Sequence, residues 1–99
     1  MPEPDVFTAL ASPIRRQLLK LLLDGPLPVN VLAGNFDMRR PSISEHLRIL
    51  RDAGLVVERR AGRHRLYQLD PAPLRAVSDW LGPYERFWRA RLADLHDLP

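Results

Sequence analysis

The sequence predicts a mainly α-helical domain with one small β-hairpin, in the order α-α-α-α-β-β-α. Three observations support this fold class. Apolar residues recur at helical spacing in several segments of the 99-residue chain. Two strand-like segments flank a Gly-containing turn at residues 61–64. An apolar pattern with steps of three or four residues continues from residue 72 to residue 95, which predicts a long terminal helix.

Length and composition limit the chain to a few classes of protein. Its 99 residues fit a single domain, residues 1–99, and a hydrophobic content of 45% is ordinary for a globular chain. The formal charge is +3, and arginines cluster between residues 39 and 65, as expected for a chain that binds a polyanion. The absence of cysteine excludes disulfides and thiolate metal sites. No signal peptide or membrane-length apolar run is visible, so we expect a cytoplasmic protein without a membrane partner.

Two helices are predicted before residue 24. Residues 6–11 form a short helix with Phe7 and Leu10 on one face. Ser12 and Pro13 suit the N-cap and first turn of a second helix, which extends to about residue 23. In that second helix the residues predicted to face inward are Ile14, Leu18, Leu21 and Leu22, and those predicted to face outward are Arg15, Arg16 and Lys20.

Residues 29–53 are predicted to form a helix-turn-helix. The first helix falls within residues 27–36, begins around Pro28 and directs Val31 and Leu32 inward. Pro41 suits the first turn of the second helix, and Gly54 suits the residue just past its end, where a left-handed backbone is favourable. The spacing therefore predicts two short helices joined by a tight turn.

The second helix of this pair has the composition of a helix that enters the major groove of DNA. Ile43, Leu47 and Leu50 make one apolar stripe, with small and polar residues opposite. The candidate DNA contacts here are Arg39, Arg40, Pro41, Ser42, Ser44, Glu45 and Arg48. Two of these have alternatives. Ser42 is favoured as a helix cap, and Glu45 either accepts a hydrogen bond from cytosine N4 or pairs with Arg48 or Arg51. His46, on the flank of the apolar stripe, is predicted to pack. For the helix alone, solvated surface charge is the other interpretation.

Residues 55–69 are predicted to form a hairpin, which we call the wing. Its strands cover residues 55–60 and 65–69, and residues 61–64 supply the turn. Arg60, Arg63 and His64 at the tip are candidates for contacts with phosphates or with the minor groove. A solvated hairpin tip is the alternative. Asp70 after the second strand is a candidate cap for the segment that follows.

The terminal helix, residues 72–95, has a broad aromatic stripe. A domain of this size cannot easily bury so many large rings alone, so we expect the stripe to pack on a second copy of the chain. Gly82-Pro83 predicts a kink or a break within the helix. The residues predicted to form this dimer interface are Phe7, Leu10, Val77, Trp80, Leu81, Tyr84, Phe87, Trp88 and Leu92.

Three stretches together resemble the ArsR-type winged helix-turn-helix repressors: ALASPIRRQLLKLL, RPSISEHLRILRDAGLV and ERRAGRHRLYQLD. They correspond to the first two helices, the recognition helix and the wing, and the resemblance covers residues 5–70 closely. It implies a two-fold dimer, built from the first and last helices, that binds double-stranded operator DNA, with Ser44 on the DNA. Metal-sensing members carry cysteine in the segment matching residues 28–32, where this chain has none. The chain therefore resembles the subset without that motif, and we expect no metal, no cofactor and an unknown effector.

The sequence contains no recognisable catalytic constellation, because its three histidines are far apart and none lies in a nucleophile or ligand motif. We therefore expect a sequence-specific DNA-binding repressor rather than an enzyme. Two alternatives stay open at this point: a winged-helix module that binds another protein without specific DNA binding, and a repressor that senses a small molecule in a pocket at the dimer helices.

Overall fold

A computed structural model of the chain describes residues 5–96, so both ends of the predicted 1–99 domain lie outside the described part. In chain order the elements are α1 Val6–Ala9, α2 Pro13–Leu21, a 3-10 turn Leu22–Asp24, β1 Leu27–Pro28, α3 Val29–Ala33, α4 Arg40–Asp52, β2 Val56–Ala61, β3 His64–Leu69 and α5 Leu74–His96. The predicted winged helix-turn-helix is confirmed, with one strand more than the sequence predicted.

The additional strand, β1, joins the start of the helix-turn-helix to the wing. The sheet has the order β1-β3-β2, and all its pairs are antiparallel. Leu27 lies opposite Tyr67, and Pro28 lies opposite Leu66. A proline is tolerated here because β1 is an edge strand. The predicted start of the helix around Pro28 agrees with the structure to within one residue: Pro28 is the extended N-cap, with φ −74° and ψ 158°, and α3 begins at Val29. Residues 27 and 28 are strand rather than helix.

The core consists of one cluster of apolar side chains from every element between α1 and β2 except β1. Its members are Val6, Ala9, Leu18, Leu19, Leu22, Leu32, Ile43, Leu47, Leu50, Leu55 and Val56. Ile14 and Leu21, which were predicted to face inward, are half-buried and pack against this core, and Leu19 is buried as well. One prediction of an inward residue was wrong. Val31 is 44% exposed, because α3 has only five residues and presents Leu32 to the core.

The ends of α2 and α4 test the predicted capping residues. The Ser12 hydroxyl accepts a hydrogen bond from the Arg15 amide at 3.3 Å, as predicted for an N-cap. Ser42 is not a cap: the helix begins at Arg40, Arg39 is the N-cap residue, no side chain makes a cap hydrogen bond, and Ser42 is the third residue of the first turn. Gly54 has φ 79°, which confirms the left-handed residue predicted after α4.

The first wing strand has the predicted length but lies one residue later, the second is one residue longer than predicted, and the connection between them is shorter. Ala61 and His64 form the last cross-strand pair, so only Gly62 and Arg63 make the loop. Gly62 has φ 62°, and no other residue type in the described part has a positive φ. Because only the first of the two loop residues has a positive φ, the loop matches a type II′ turn, whose backbone twist is compatible with the twist of the two strands. Arg63 is therefore the tip of the wing.

Helix α5 is continuous through Pro83, so of the kink or break predicted at Gly82-Pro83 the break does not occur. Proline removes one backbone hydrogen bond, and the turns on both sides remain helical. Only the start of α5 packs on the body, where Leu74 and Val77 are half-buried against the core. The helix then extends beyond the body, which gives the described part a longest dimension of 62 Å. Among the helices of residues 5–96, none has the length and apolar content needed to cross a membrane.

Candidate nucleic-acid interface

The outer face of α4 presents all seven residues that the sequence predicted as contacts on this helix. Arg39, Arg40, Pro41, Ser42, Ser44, Glu45 and Arg48 are exposed. Ile43, Leu47 and Leu50 are fully buried on the opposite face of α4, and their packing in the core fixes the orientation of these exposed residues. In the described part of the chain, neither Arg39 nor Arg40 has a carboxylate within ion-pair distance. These two arginines lie at the positive end of the helix dipole, where an anion is favoured.

The centre of the outer face is an ion-pair network. Both Arg48 Nε and Nη2 donate to the Glu45 carboxylate, at 3.0 and 2.5 Å, and Arg48 Nη1 donates to Asp52 at 2.8 Å. The hydrogen bond from Arg48 lowers the pKa of Glu45, and the same bond raises the pKa of Arg48. Of the partners left open by the sequence, Glu45 therefore pairs with Arg48 and not with Arg51.

A second polar cluster joins the C-terminal end of α4 to the wing. Arg51 Nη1 lies 2.7 Å from Glu58 Oε1 on β2, and the Tyr67 hydroxyl on β3 donates to the same oxygen at 3.2 Å. Burial, and then the Glu58 charge, raise the pKa of Tyr67. The cluster fixes the base of the wing against the recognition helix.

The predicted tip residues Arg60, Arg63 and His64 are exposed. The strand register adds a residue that the sequence analysis did not select, because Arg65 lies directly opposite Arg60. Side chains alternate between the faces of a strand, so Arg60 and Arg65 share the face that carries Glu58 and Tyr67. The signal that would have identified Arg65 is the two-residue loop, which sets the register.

Arg60 and Arg65 form a like-charge pair, an arrangement that destabilises a hairpin. Both side chains are exposed, and within residues 5–96 neither has an ion-pair partner. By contrast, Arg59 on the other face donates to Gln68 at 2.9 Å. A polyanion bound between Arg60 and Arg65 would relieve their repulsion, so this end of the wing is suited to a phosphate backbone.

His46 and Arg15 meet behind the recognition helix. His46 is half-buried, as the sequence predicted, and its Nδ1 lies 3.2 Å from Arg15 Nη1. The outward direction predicted for Arg15 was wrong. Its guanidinium turns back to α1, where Nε donates to the Ala9 carbonyl at 2.6 Å and Nη2 to the Thr8 carbonyl at 3.1 Å. Both carbonyls lie at the end of a helix of four residues, and the Thr8 carbonyl also accepts from the Ala11 amide at 3.1 Å.

A band of large rings remains exposed on α5 and α1. We call it the aromatic face; it comprises Phe7, Trp80, Leu81, Tyr84, Phe87, Trp88 and Leu92. Trp80 joins the two helices, with ring centroids 6.1 Å from Phe7 and 4.9 Å from Tyr84. Trp88 is 61% exposed, and the predicted interface residues Leu10 and Val77 are half-buried at the edge. An open groove of about 420 Å³ runs along this face.

Comparisons with known proteins give one consistent result. The sequence model of a family described as "Bacterial regulatory protein, arsR family" matches residues 12–57. The HTH-type transcriptional regulator Rv2034 of Mycobacterium tuberculosis is 43% identical over 96 residues, covering 96% of this chain and 87% of the relative. The transcriptional repressor SdpR of Bacillus subtilis is 35% identical over 77 residues, covering 78% and 86%. The crystal structure of the ArsR family transcriptional regulator RHA00566 matches with TM-score 0.73 at 38% identity, covering 84% and 86%.

Proposed function

Because this chain belongs to the ArsR family of bacterial regulatory proteins, we propose that it is a homodimeric repressor, and not an enzyme, that binds an inverted-repeat operator. The observation that carries this proposal is α4, whose fully buried apolar stripe orients an exposed face of arginines, serines and two carboxylates bridged by Arg48 outward. A helix of this kind fits the major groove. A repressor of bacterial genes acts in the cytoplasm, where we expect this chain.

On α4 we assign positioning and sequence reading to different residues. Arg39 and Arg40 at the N-terminal end would bind phosphates on the groove edge, and Ser44 would contact a base edge. Glu45 is an acceptor without a proton to donate, so in the groove it would select an amino group such as cytosine N4. Arg48 offsets the charge of Glu45 and holds its carboxylate in place.

On the wing we assign backbone contacts. Arg63 at the tip would enter the minor groove or bind a phosphate, with His64 beside it. Arg60 and Arg65 would share phosphates nearer the base of the hairpin. These contacts carry little sequence information and would contribute mainly to affinity and to its dependence on salt.

The aromatic face is the proposed dimer interface. A second copy would cover it around a two-fold axis, with α5 as the main element and α1 alongside. This arrangement would direct two recognition helices into successive major grooves. The operator would then be an imperfect inverted repeat whose half-site centres lie about 10 bp apart, or close to that spacing.

The test is a titration by fluorescence anisotropy of the duplex that flanks the chain's own gene, with a scrambled duplex of equal composition beside it. We expect tighter binding to the flanking duplex and a steep loss of affinity with added salt. Equal binding to both duplexes would contradict sequence specificity. No salt-sensitive DNA binding, together with a stable complex with another protein, would favour the protein-interaction alternative.

A second candidate function, sensing of a small molecule by the same repressor, is favoured by the groove on α5. Leu81, Tyr84, Glu85, Phe87 and Trp88 line this groove, so an apolar compound would contact several rings. Fluorescence of Trp80 and Trp88 would report such binding directly. A compound that quenches this fluorescence and releases the operator would support the sensing function, and quenching without release would contradict it.

A further inference from the structure

Arg15 connects three helices through side-chain hydrogen bonds. It belongs to α2, its Nε and Nη2 bind the carbonyls of Ala9 and Thr8 at the end of α1, and its Nη1 contacts His46 on α4. The neighbouring Arg16 also binds the end of α1, through the Leu10 carbonyl at 2.7 Å, but has no contact with α4. The two arginines therefore share one role at α1, and only Arg15 extends to the recognition helix.

The contact between Arg15 and His46 has one permitted protonation state. Arginine is always protonated and can only donate, so His46 Nδ1 must accept and the ring proton must lie on Nε2. A second proton would place an N–H at Nδ1 against the guanidinium. The contact would then change from a hydrogen bond to a repulsion between two cations.

The surroundings of His46 keep it neutral. Burial lowers its pKa from the ordinary value of 6.5, Arg15 lowers it further, and Glu45 on the same helix acts in the opposite direction. The elements packed on α4 are α2, α3 and β2. Of these, α2 supplies Arg15; the carboxylate of β2, Glu58, is bound to Arg51; and α3 carries no charged side chain.

Among the described residues, α4 makes two polar side-chain contacts with other elements, and we call each of them a tie. One is Arg51 to Glu58 at its C-terminal end, and the other is His46 to Arg15. The proposed base-reading residues, Ser44 and Glu45, adjoin His46 in the sequence. The tie to Arg15 therefore lies closest to the part of the helix that would read DNA.

We propose that Arg15 and His46 are positioning residues that hold the reading end of α4 against α1 and α2, and that DNA binding weakens with falling pH because the tie requires a neutral His46. This inference rests on the proposed DNA-binding function. The tie also reaches the proposed dimer interface, since α1 carries Phe7, whose ring packs edge-on against Trp80 of α5. Protonation of one ring would thus loosen the connection between the interface and the recognition helix.

The test is a double-mutant cycle on operator affinity at pH 8 and pH 5, at constant ionic strength, using the duplex recovered from random DNA by selection at pH 8. The proteins are wild type, Arg15→Ala, His46→Leu and the corresponding double variant, and coupling is the non-additive part of their effects. Leucine removes the acceptor, whereas glutamine would keep an oxygen that accepts from Arg15. At pH 8 we expect Arg15→Ala to weaken binding about tenfold, the effect of one hydrogen bond to a charged group. We also expect favourable coupling with His46→Leu at pH 8 that is lost or reversed in sign at pH 5, where the two cations repel.

The matched control is Arg16→Ala, which removes a similar contact to α1 and leaves His46 untouched. It should show no coupling with His46→Leu at either pH. The histidine at the wing tip, His64, is present in every variant, so the pH effect is taken as the difference between wild type and His46→Gln, which keeps an acceptor for Arg15 but carries no charge at any pH. Wild type should lose about tenfold more affinity than His46→Gln between pH 8 and pH 5. Equal pH profiles with strong binding would overturn the inference and leave the proposed function standing.

An NMR titration of the ring nitrogens tests the tie without DNA. In wild type we expect the Nε2–H tautomer at pH 8 and a pKa of His46 below its ordinary value, and Arg15→Ala should raise that pKa. A histidine whose tautomer and pKa are unaffected by Arg15→Ala would overturn the inference even if the cycle shows coupling. If selection recovers no operator, the proposed function fails, and with it the positioning role.

Discussion

Arg60 on β2 lies directly opposite Arg65 on β3, with the two guanidinium groups on the same face of the wing. Cross-strand like charges are unfavourable in an isolated hairpin, by a few tenths of a kcal/mol up to about 1 kcal/mol. A two-residue loop imposes this register, so the pair cannot move apart by a shift of the strands. The arrangement costs stability in the free protein and favours a polyanion in the complex.

The first prediction separates these two effects. Arg65→Gln should weaken operator binding and lower the slope of log affinity against log salt by about 1, because one phosphate contact is lost. The same change should leave the free energy of unfolding unchanged or raise it by up to about 1 kcal/mol, because the repulsion with Arg60 disappears. Urea unfolding and salt-dependent anisotropy measure the two quantities. The control is Arg59→Gln on the other face, which should lose the bond to Gln68 without the change in salt slope. A destabilised Arg65→Gln would refute the proposed repulsion.

The second prediction distinguishes residues that bind the DNA backbone from residues that recognise bases. Arg63→Ala should weaken binding to cognate and scrambled duplexes by similar factors and lower the salt slope by about 1. Ser44→Ala should instead reduce the ratio of the two affinities with little change in salt slope, because it removes a base contact. Anisotropy titrations at three salt concentrations give both values. If Arg63→Ala changes which base is preferred, the wing reads sequence and the assignment is wrong.

The third prediction concerns Glu45. Glu45→Gln replaces a pure acceptor with an amide that both donates and accepts, which suits adenine better than cytosine. We expect the preferred base facing residue 45 to change from cytosine toward adenine, with about 1–3 kcal/mol of discrimination at stake. Selection from a library randomised at that position measures the preference. Arg48→Ala is the companion variant: it leaves Glu45 unbridged, so it should weaken binding to all sequences. An unchanged base preference in Glu45→Gln would remove Glu45 from the reading residues.

The fourth prediction concerns the aromatic face. Trp80→Ala and Trp88→Ala should each weaken the dimer, since truncation of a buried aromatic typically costs about 3–5 kcal/mol. DNA affinity should fall in parallel, although the proposal places neither residue on DNA. Sedimentation velocity and operator titration give the two measurements. The matched control is Leu23→Ala, an exposed apolar residue outside the face, at 68% exposure, which should change neither. A double tryptophan variant that stays a tight dimer with normal operator affinity would show that the interface lies elsewhere.

The recognition helix was largely predictable, and the reason is local. Ile43, Leu47 and Leu50 repeat with the period of a helix, and Pro41 and Gly54 mark its ends through their own backbone preferences. Each of these signals lies within a few residues of the structure it determines. The same holds for the wing, where the position of Gly62 indicates the turn.

The features that sequence did not predict depend on distant partners. Strand β1 has only two residues and exists through its pairing with β3, about forty residues later. Arg15 was predicted to face outward because helical periodicity describes where a side chain starts, and its long side chain turns back to carbonyls six and seven residues earlier. Arg65 became a candidate only through its register with Arg60. Glu58 of β2 binds Arg51, a contact that the sequence did not indicate, whereas the pairing of Glu45 with Arg48 follows from their i,i+3 spacing on α4.

We propose that two copies of this chain read one operator with two recognition helices, and hydroxyl-radical footprinting of the selected operator with the wild-type protein is the decisive measurement. We expect two protected segments related by two-fold symmetry, with centres about 10 bp apart or close to that spacing, that appear together as the protein is titrated. A single protected segment without an inverted repeat, bound by one subunit, would contradict it.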